Sequence, residues 1–211
     1  MKVVIFNGSP RPQGNTAFAL SLCAEELKNA GIETETIHMG HLPIRGCTAC
    51  NGCAKNRDGK CVLPDDGVNG WIEKISRADG VILGAPVYYS SPAGAMRCFL
   101  DRAFYAAQNG GMLFRRKVGG ALVSVRRIGG VAALDELNRY CLAGEMVLAP
   151  AAALPLIFGL RPGEAEGDEE GIQAARTLAR NMAWLIKLME HGKGTVEEPP
   201  AEKRKYTNLI R

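Results

Sequence analysis

Hydrophobic positions along the chain occur in two patterns, short continuous or alternating runs and longer stretches with helical spacing. The runs predict strands at 3–6, 33–39, 79–85, 117–125 and 146–148. The helical spacing predicts helices at 17–30, 68–78, 93–106, 131–142 and 170–190. Because strands alternate with helices, we expect an α/β fold in which helices cover both faces of an open parallel sheet.

Three segments lack a regular pattern, and they divide the chain. Residues 42–66 are irregular and hold four cysteines, 150–167 are rich in Ala, Pro and Gly, and 192–211 form an extended tail. No internal repeat or second domain is evident, and 46% hydrophobic residues in a chain of 211 can build one sizeable core. We therefore predict one domain over 1–191, with 42–66 as a cysteine-rich insertion and 192–211 as a tail.

The first loop, residues 8–16 with the sequence GSPRPQGNT, follows the first strand and precedes a helix. Free backbone N–H groups at a helix N-terminus favour an anion, and Gly8 and Gly14 let the backbone approach a ligand closely. The motifs G-x-x-x-x-G-K-[ST] and G-x-G-x-x-G are both missing, which excludes two common phosphate sites. We interpret the first loop as a phosphate site of another kind. An ordinary turn with a Ser, Thr or Asn helix cap is the alternative.

Two later loops of unusual composition follow strands that end at the same edge of the predicted sheet. The second loop, residues 86–94, combines prolines, serines and two adjacent tyrosines, and the third loop, residues 124–130, ends in a glycine pair. Ligands of open parallel sheets bind at this carboxyl edge. The tyrosine pair alone is typical of packing, but three such loops together indicate a planar aromatic ligand that carries one phosphate.

The sequences GSPRPQGNT and GAPVYYSSPAG and the loop from Ser124 to Gly130 resemble the flavodoxin-like NAD(P)H-dependent FMN reductase superfamily. The stretch FGLRPGEAEGDEEG and the closing KRKYTNLIR resemble members of this superfamily too. The resemblance implies a flavodoxin-like three-layer sandwich with a five-stranded parallel sheet in the order 2-1-3-4-5. It also implies FMN as the cofactor of an oxidoreductase.

The same resemblance implies which residues bind FMN. Its phosphate would be held in the first loop by Ser9, Arg11, Asn15 and Thr16, with Gly14 beside them. The isoalloxazine ring would be bordered by Pro86, Val87, Tyr88, Tyr89 and Ser90, with Ser124 and Gly129 along its other edge. The third loop departs from a simple T-x-G-G pattern because Arg126 and Arg127 precede its glycines.

Four cysteines in the insertion have the spacing C-x2-C-x2-C-x7-C, and they are Cys47, Cys50, Cys53 and Cys61. Thiols at this spacing can surround one [4Fe–4S] cluster, and a turn at 58–59 would bring the last cysteine back to the others. Cationic residues nearby in sequence would offset the negative charge of the cluster: Arg45, Lys55, Arg57 and Lys60. The spacing resembles the iron–sulfur flavoprotein branch of the superfamily, which carries FMN and one such cluster.

Two other interpretations of the four cysteines stay open. Zinc binds four thiolates, although zinc ribbons usually pair two C-x-x-C motifs across a longer spacer. A dithiol switch or free thiols are also compatible with the spacing. Cys23, Cys98 and Cys141 fall on predicted helices, where we expect them to be small core residues.

The net charge and the hydropathy of the chain limit the partners and the cellular compartment that we expect. The net charge is only +4 and no dense basic stripe occurs, which argues against nucleic acid. The first apolar run is too short for a signal peptide or a membrane span. Seven cysteines without a sign of a secretory segment indicate metal, redox or packing roles. We therefore expect a cytoplasmic protein with no membrane partner.

The sequence shows no catalytic acid–base set, because His38, His41 and His191 are scattered and no carboxylates are paired. Flavin chemistry needs little from side chains. We expect an FMN oxidoreductase that uses NAD(P)H to reduce quinones, free flavin or similar acceptors. The alternative is an iron–sulfur flavoprotein that passes electrons from a ferredoxin-like donor through the cluster to FMN. A regulatory flavin- or metal-binding protein with a thiol switch is a third class.

The electron-carrier alternative includes an assembly. We expect a homodimer or homotetramer in which electrons cross from the cluster of one chain to the FMN of its neighbour. The exposed tail at 192–211 would hold such an assembly together, because it lacks a core of its own.

Overall fold

The computed structural model of the chain describes residues 1–200, 202, 205 and 207. In this part of the chain the strands are β1 (Lys2–Asn7), β2 (Glu33–His38), β3 (Gly80–Tyr88), β4 (Ser91–Pro92), β5 (Val118–Val125), β6 (Val147–Leu148) and β7 (Leu156–Phe158). The α-helices are α1 (Asn15–Asn29), α2 (Gly52–Asn56), α3 (Val68–Arg77), α4 (Gly94–Asn109), α5 (Gly130–Ala143) and α6 (Glu169–Gly192). A short 3₁₀ helix spans Glu164–Gly167.

The main strands lie in the order β2-β1-β3-β5-β6, and neighbours in this order are parallel. β4 forms a short antiparallel hairpin with β3, and β7 runs parallel to β5. The prediction of an α/β fold with a parallel sheet is confirmed. The predicted five-stranded sheet in the order 2-1-3-4-5 is wrong in its number of strands, because the described part of the chain already forms seven.

The two additional strands have separate physical causes. The fifth position of the predicted sheet is divided, since β6 pairs with the start of β5 and β7 with its end. Pro150 and Pro155 lie between β6 and β7, and proline has no N–H to donate to a neighbouring strand. β4 exists because the second loop folds back onto β3, where Val87 pairs with Pro92.

Two hydrophobic cores lie on opposite faces of the sheet. Alternation along β1 directs Val4 and Phe6 into one core, and Val3 and Ile5 into the other. The first core lies under α3, α4 and α5, and Phe6 packs there against Phe99 with ring centroids 4.7 Å apart. The second core lies under α1 and α6. Helices therefore cover both faces, as the hydrophobic pattern predicts.

Cysteines and irregular segments follow the predictions only in part. Cys23 and Cys141 are fully buried, as expected, whereas Cys98 is half-buried and packs against the first core from its edge. The insertion contains α2, and the segment 150–167 contains β7 and the 3₁₀ helix. Residues 193–200 of the tail form no helix or strand. The closing KRKYTNLIR lies outside the described residues except for Lys205 and Thr207.

The carboxylate of Asp168 links the N-terminus of α6 to β7 by two hydrogen bonds, and we expect its loss to destabilise the fold. Asp168 accepts hydrogen bonds from the N–H of Gly171 (3.0 Å) and from the N–H of Phe158 (2.6 Å). We expect Asp168→Ala to lower the free energy of unfolding by about 1–2 kcal/mol, because both donors lose their partner. The measurement is urea unfolding, with Asp168→Asn as the control that keeps a capping oxygen. Equal stability of the alanine variant and the wild type would contradict this role.

Candidate functional site

The first loop leaves the N-terminus of α1 open toward the carboxyl edge of the sheet. Gly14 is the N-cap of α1, and no side chain caps the helix. The alternative of a turn capped by Ser, Thr or Asn is therefore not what the structure shows. Ser9, Asn15 and Thr16 are all buried, with only 1% of Thr16 exposed. Buried polar groups together with uncapped N–H groups are suited to an anion.

A cavity of about 170 Å³ opens where the first, second and third loops meet. Its lining consists of Ser9, Arg11, Gly14, Asn15, Thr16, Pro86, Val87, Tyr88, Ser124, Arg126, Gly159 and Leu160. The structure thus brings most of the predicted flavin-site residues together around one space. Tyr89, Ser90 and Gly129 are the predicted residues that do not line it.

Short hydrogen bonds hold the base of this cavity in place. The hydroxyls of Thr16 and Ser124 are 2.6 Å apart, which joins α1 to the end of β5. The N–H of Gly8 donates to the carbonyl of Gly84 at 2.7 Å, which joins the first loop to β3. The first loop is therefore positioned by the two strands that carry the other loops.

The first loop also lies directly against the chain that leaves β2, and this contact requires a glycine. A Cβ at position 40 would lie 2.2 Å from the carbonyl oxygen of Gly8. We expect Gly40→Ala to displace the first loop and to lower the free energy of unfolding by about 1–3 kcal/mol. The control is Gly70→Ala in α3, where a Cβ meets nothing within 4 Å. Gly70→Ala should raise the free energy of unfolding slightly, because alanine has a higher helix propensity than glycine.

Urea unfolding measures both glycine variants side by side. A Gly40→Ala protein as stable as the Gly70→Ala protein would show that the close approach does not matter.

Tyr89, Ser90 and Gly129 lie at the tip of the second loop and the start of α5. Tyr89 and Ser90 adopt positive φ values of 51° and 62°, which turns the β3–β4 hairpin, and Tyr89 is fully exposed. Gly129 has a φ of 83°, and a Cβ there would lie 2.5 Å from the Ser90 hydroxyl oxygen. The second and third loops therefore contact each other at Ser90 and Gly129. A role of these three residues at the flavin ring stays a prediction.

Sequence reasoning missed three residues of the cavity lining, Arg126, Gly159 and Leu160. Gly159 lies so close to Asn15 that a Cβ would be 2.5 Å from the Asn15 amide nitrogen. The FGLRPG stretch was a usable signal for the last two, because β7 delivers it to the carboxyl edge. Arg126 departs from the T-x-G-G pattern of the third loop, and it is a second arginine of the cavity lining in addition to Arg11.

The four cysteines of the insertion line one small cavity, together with Arg102 and Tyr105 of α4. Cys47 and Cys50 are exposed, Cys61 is half-buried and Cys53 is buried. Left-handed backbone conformations at Ala49 and Asn51 turn the chain between these cysteines. Among the residues that the structure describes, no three His, Cys, Asp or Glu side chains form a ready metal-binding group.

Arg102 is the residue of this region that sequence reasoning missed. Its side chain is 1% exposed, and its Nε donates to the Cys61 sulfur at 3.3 Å. Its Nη1 donates to the carboxylate of Asp66 and, at 3.1 Å, to the carbonyl of Arg45. A signal existed, since an arginine stands among the apolar residues Phe99, Ala103 and Ala106 of a predicted helix face. The four cations predicted to offset the cluster charge are all solvent-exposed.

The electrostatics of the ion pair follow from its surroundings. Burial opposes ionisation of Asp66, but the hydrogen bond and the charge of Arg102 outweigh it, so that the pKa of Asp66 lies below its ordinary value. Burial likewise raises the pKa of the Cys53 thiol. The arrangement thus places an ion pair beside the cysteine cavity, with the Nε of the guanidinium directed at the Cys61 sulfur.

Comparison with known proteins decides the family. The NADPH-dependent FMN reductase family matches residues 1–158. The chain belongs to this family. The iron-sulfur flavoprotein MJ1083 of Methanocaldococcus jannaschii is 33% identical over 197 residues, which cover 90% of this chain and 100% of that protein. An iron-sulfur flavoprotein of Archaeoglobus fulgidus is 32% identical over 202 residues, which cover 90% of this chain and 98% of the relative.

Solved structures of low sequence identity show the same fold as this FMN reductase family chain. RosB with the bound intermediate 8-demethyl-8-formylriboflavin-5'-phosphate superimposes with a TM-score of 0.69 at 16% identity, covering 100% of this chain and 93% of RosB. A flavodoxin from the domain Archaea gives 0.58 at 13% identity, covering 89% of this chain and 99% of that one. The predicted flavodoxin-like fold is confirmed.

The resemblance to the FMN reductase superfamily and its iron–sulfur flavoprotein branch is confirmed by these matches. The chain is an NAD(P)H-dependent, FMN reductase-like oxidoreductase, so that a nicotinamide and an electron acceptor are its substrates. FMN is the cofactor of this family. No helix within the described residues has both the length and the apolar character needed to cross a bilayer.

The three-loop cavity fits FMN by its own chemistry. One part of the lining is formed by Arg11 and by Gly14, Asn15 and Thr16 at the uncapped start of α1, and Asn15 and Thr16 are buried. That part can bind a phosphate. Pro86 to Tyr88 and Leu160 supply an apolar and aromatic part, which suits a flat ring.

Proposed function

We propose that the chain uses NAD(P)H to reduce quinones, free flavin or similar acceptors, with FMN held in the cavity between the three loops. The observation that carries this proposal is the meeting of buried Asn15 and Thr16 with the aromatic second loop around one space. When bound, FMN supplies a ring that accepts hydride from a stacked nicotinamide. The FMN-binding domain in this proposal comprises residues 1–191.

Each group of residues has a binding role in this proposal. Ser9, Arg11, Asn15 and Thr16 hold the phosphate. Pro86, Val87 and Tyr88 border the ring, and Ser124 fixes Thr16 through their 2.6 Å hydroxyl contact. No side chain is assigned to proton transfer, and His38, the histidine nearest the first loop, contacts the carbonyl of Ser9 at 2.7 Å through its Nε2. Catalysis therefore consists of holding the ring and the nicotinamide in place.

Flavin binding and turnover test this proposal in two measurements. FMN added to colourless protein should lose its fluorescence stoichiometrically on binding. The loaded protein should then oxidise NADPH or NADH anaerobically when a soluble quinone is added. Failure to bind FMN, or FMN binding without nicotinamide oxidation, would refute the reductase.

A second function is favoured by the four cysteines around one cavity and by relatives named iron-sulfur flavoproteins. We propose that Cys47, Cys50, Cys53 and Cys61 hold a [4Fe–4S] cluster that supplies one-electron transfer. In this function a ferredoxin-like protein is the electron donor and FMN receives the electrons. Four thiols at one cavity with an adjacent guanidinium suit an anionic cluster.

The position of the cysteine cavity bears on the path of the electrons. α4 begins beside the second loop, and Arg102 and Tyr105 follow its first residue by eight and eleven positions. At 1.5 Å per residue the cysteine cavity lies roughly 12–17 Å along the helix from the second loop.

We propose a homodimer or homotetramer in which the cluster of one subunit lies nearer to the FMN of its neighbour than to the FMN of its own chain. A strictly monomeric protein with fast exchange between its centres would refute this assembly.

An anaerobic preparation separates the two functions. Flavin, iron and sulfide are assayed per chain, and reduction is then attempted with a ferredoxin system that contains no nicotinamide. Iron and sulfide together with ferredoxin-driven flavin reduction support the electron carrier. Flavin without iron leaves the reductase alone.

A further inference from the structure

We propose that Arg102 positions the four-cysteine loop and raises the reduction potential of the cluster that this loop holds. The proposal rests on the cluster site proposed above. It assigns a role to a residue of α4 that lies outside the cysteine motif. Arg102 acts through Cys61 and the loop backbone, so it is a positioning residue.

The contacts of Arg102 span the whole cysteine loop. Its guanidinium reaches the carbonyl of Arg45 before the first cysteine, the sulfur of Cys61 at the last cysteine, and the carboxylate of Asp66 beyond it. One buried side chain on a helix of the core thus contacts both ends of the loop. Tyr105, one turn further along α4, adds a hydrogen bond of 3.0 Å to Asn51 in the middle of the loop.

Burying the charge of Arg102 costs desolvation free energy, which an apolar residue at the same position would not lose. A buried ion pair is often no more stabilising than apolar residues of the same volume. Asp66 accepts only from the Nη1 side of the guanidinium, whereas Nε is directed at the Cys61 sulfur. The fork of the guanidinium allows both contacts at once, which a lysine ammonium cannot reproduce.

A positive charge in contact with a ligand sulfur favours the reduced cluster. Reduction adds one electron from an external donor, such as dithionite or a ferredoxin-like protein, and makes the cluster more negative. Hydrogen bonds to the sulfurs and nearby charge are among the factors that set cluster potentials. The four exposed cations of the loop are screened by solvent. The guanidinium of Arg102 is buried and donates directly to the Cys61 sulfur, an effect that the charge of its partner Asp66 reduces but does not remove.

Three variants and one control separate charge from structure. Arg102→Gln removes the positive charge and leaves the partly buried Asp66 carboxylate without its cationic partner, whereas Arg102→Gln with Asp66→Asn removes both charges. Arg102→Lys keeps the charge without the fork. Arg97→Gln is the control, because Arg97 lies on the same helix but pairs with Glu136 at 2.6 Å.

The experiment is a potentiometric titration of the anaerobic holoprotein, followed by electron paramagnetic resonance, after iron and sulfide have been counted. We expect Arg102→Gln to shift the one-electron equilibrium toward the oxidised cluster by about tenfold, which corresponds to about 59 mV. The double variant should shift it less and Arg102→Lys least, with Arg97→Gln unchanged. If Arg102→Gln loses its iron, the potentials of the double variant and of Arg102→Lys test the proposal instead.

Clusters at full occupancy with the wild-type potential in all Arg102 variants would overturn the proposal. Hydrogen exchange of the loop amides in cluster-free protein provides a second readout, and we expect faster exchange in Arg102→Gln than in Arg97→Gln. A wild type that binds no iron and sulfide refutes the cluster itself. The exchange experiment then still decides whether Arg102 positions the loop, and equal exchange overturns that role.

Discussion

The double variant Asn15→Ala, Thr16→Ala is expected to bind FMN at least about 30-fold more weakly than the wild type. Each change removes a buried polar group from the start of α1, and each lost hydrogen bond to a phosphate costs roughly 1–3 kcal/mol. Fluorescence quenching of FMN by the colourless protein gives the dissociation constant. The large effect is expected because both side chains are buried around the same cavity.

Both residues also have structural contacts, so controls are needed. Asn15 accepts a hydrogen bond of 3.4 Å from the N–H of Ala165, and the hydroxyls of Thr16 and Ser124 are 2.6 Å apart. Thr16→Ser keeps the hydroxyl and should retain most of the affinity. Ser21→Ala lies on the same helix but is exposed and should leave it unchanged. If the folded double variant binds FMN with wild-type affinity, the assignment of the phosphate site to the first loop is wrong.

Replacing Cys61 by serine is expected to abolish cluster binding, from about four iron atoms per chain to nearly none. Cys61 contributes one of four thiols around the cavity and is the one that contacts Arg102. Serine is a poor ligand for iron–sulfur clusters and removes a soft thiolate. Iron and sulfide assays of the anaerobically reconstituted protein, with a visible spectrum, measure the change.

Cys23→Ser is the matched control for this cysteine. Cys23 is buried in the other core, and its sulfur donates a hydrogen bond of 3.3 Å to the carbonyl of Ala175, which a hydroxyl can also make. The control should keep its full iron. A full iron content in Cys61→Ser would contradict the four-cysteine site. Zinc instead of iron in the wild type would show that the four cysteines bind a structural metal and not a cluster.

Local patterns in the sequence were sufficient for the order of the main elements and for most of the cavity. Period-two and helical spacing depend only on neighbouring residues, and these determined the alternation of strands and helices. In a parallel sheet the loops after the strands meet at one edge, so the first loop and Pro86 to Tyr88 could be assigned to one cavity. The cysteine spacing likewise needed no tertiary information.

Contacts between distant segments were decided by the tertiary structure alone. Two prolines divide the fifth strand position, and this brings Gly159 against Asn15. The positive φ values at the tip of the second loop turn Tyr89 into solvent, which its neighbours in sequence do not reveal. Arg102 and Cys61 are 41 residues apart and meet only when α4 packs under the cysteine loop. Hydrophobic periodicity carries no information on such pairings, because they depend on how separate elements pack.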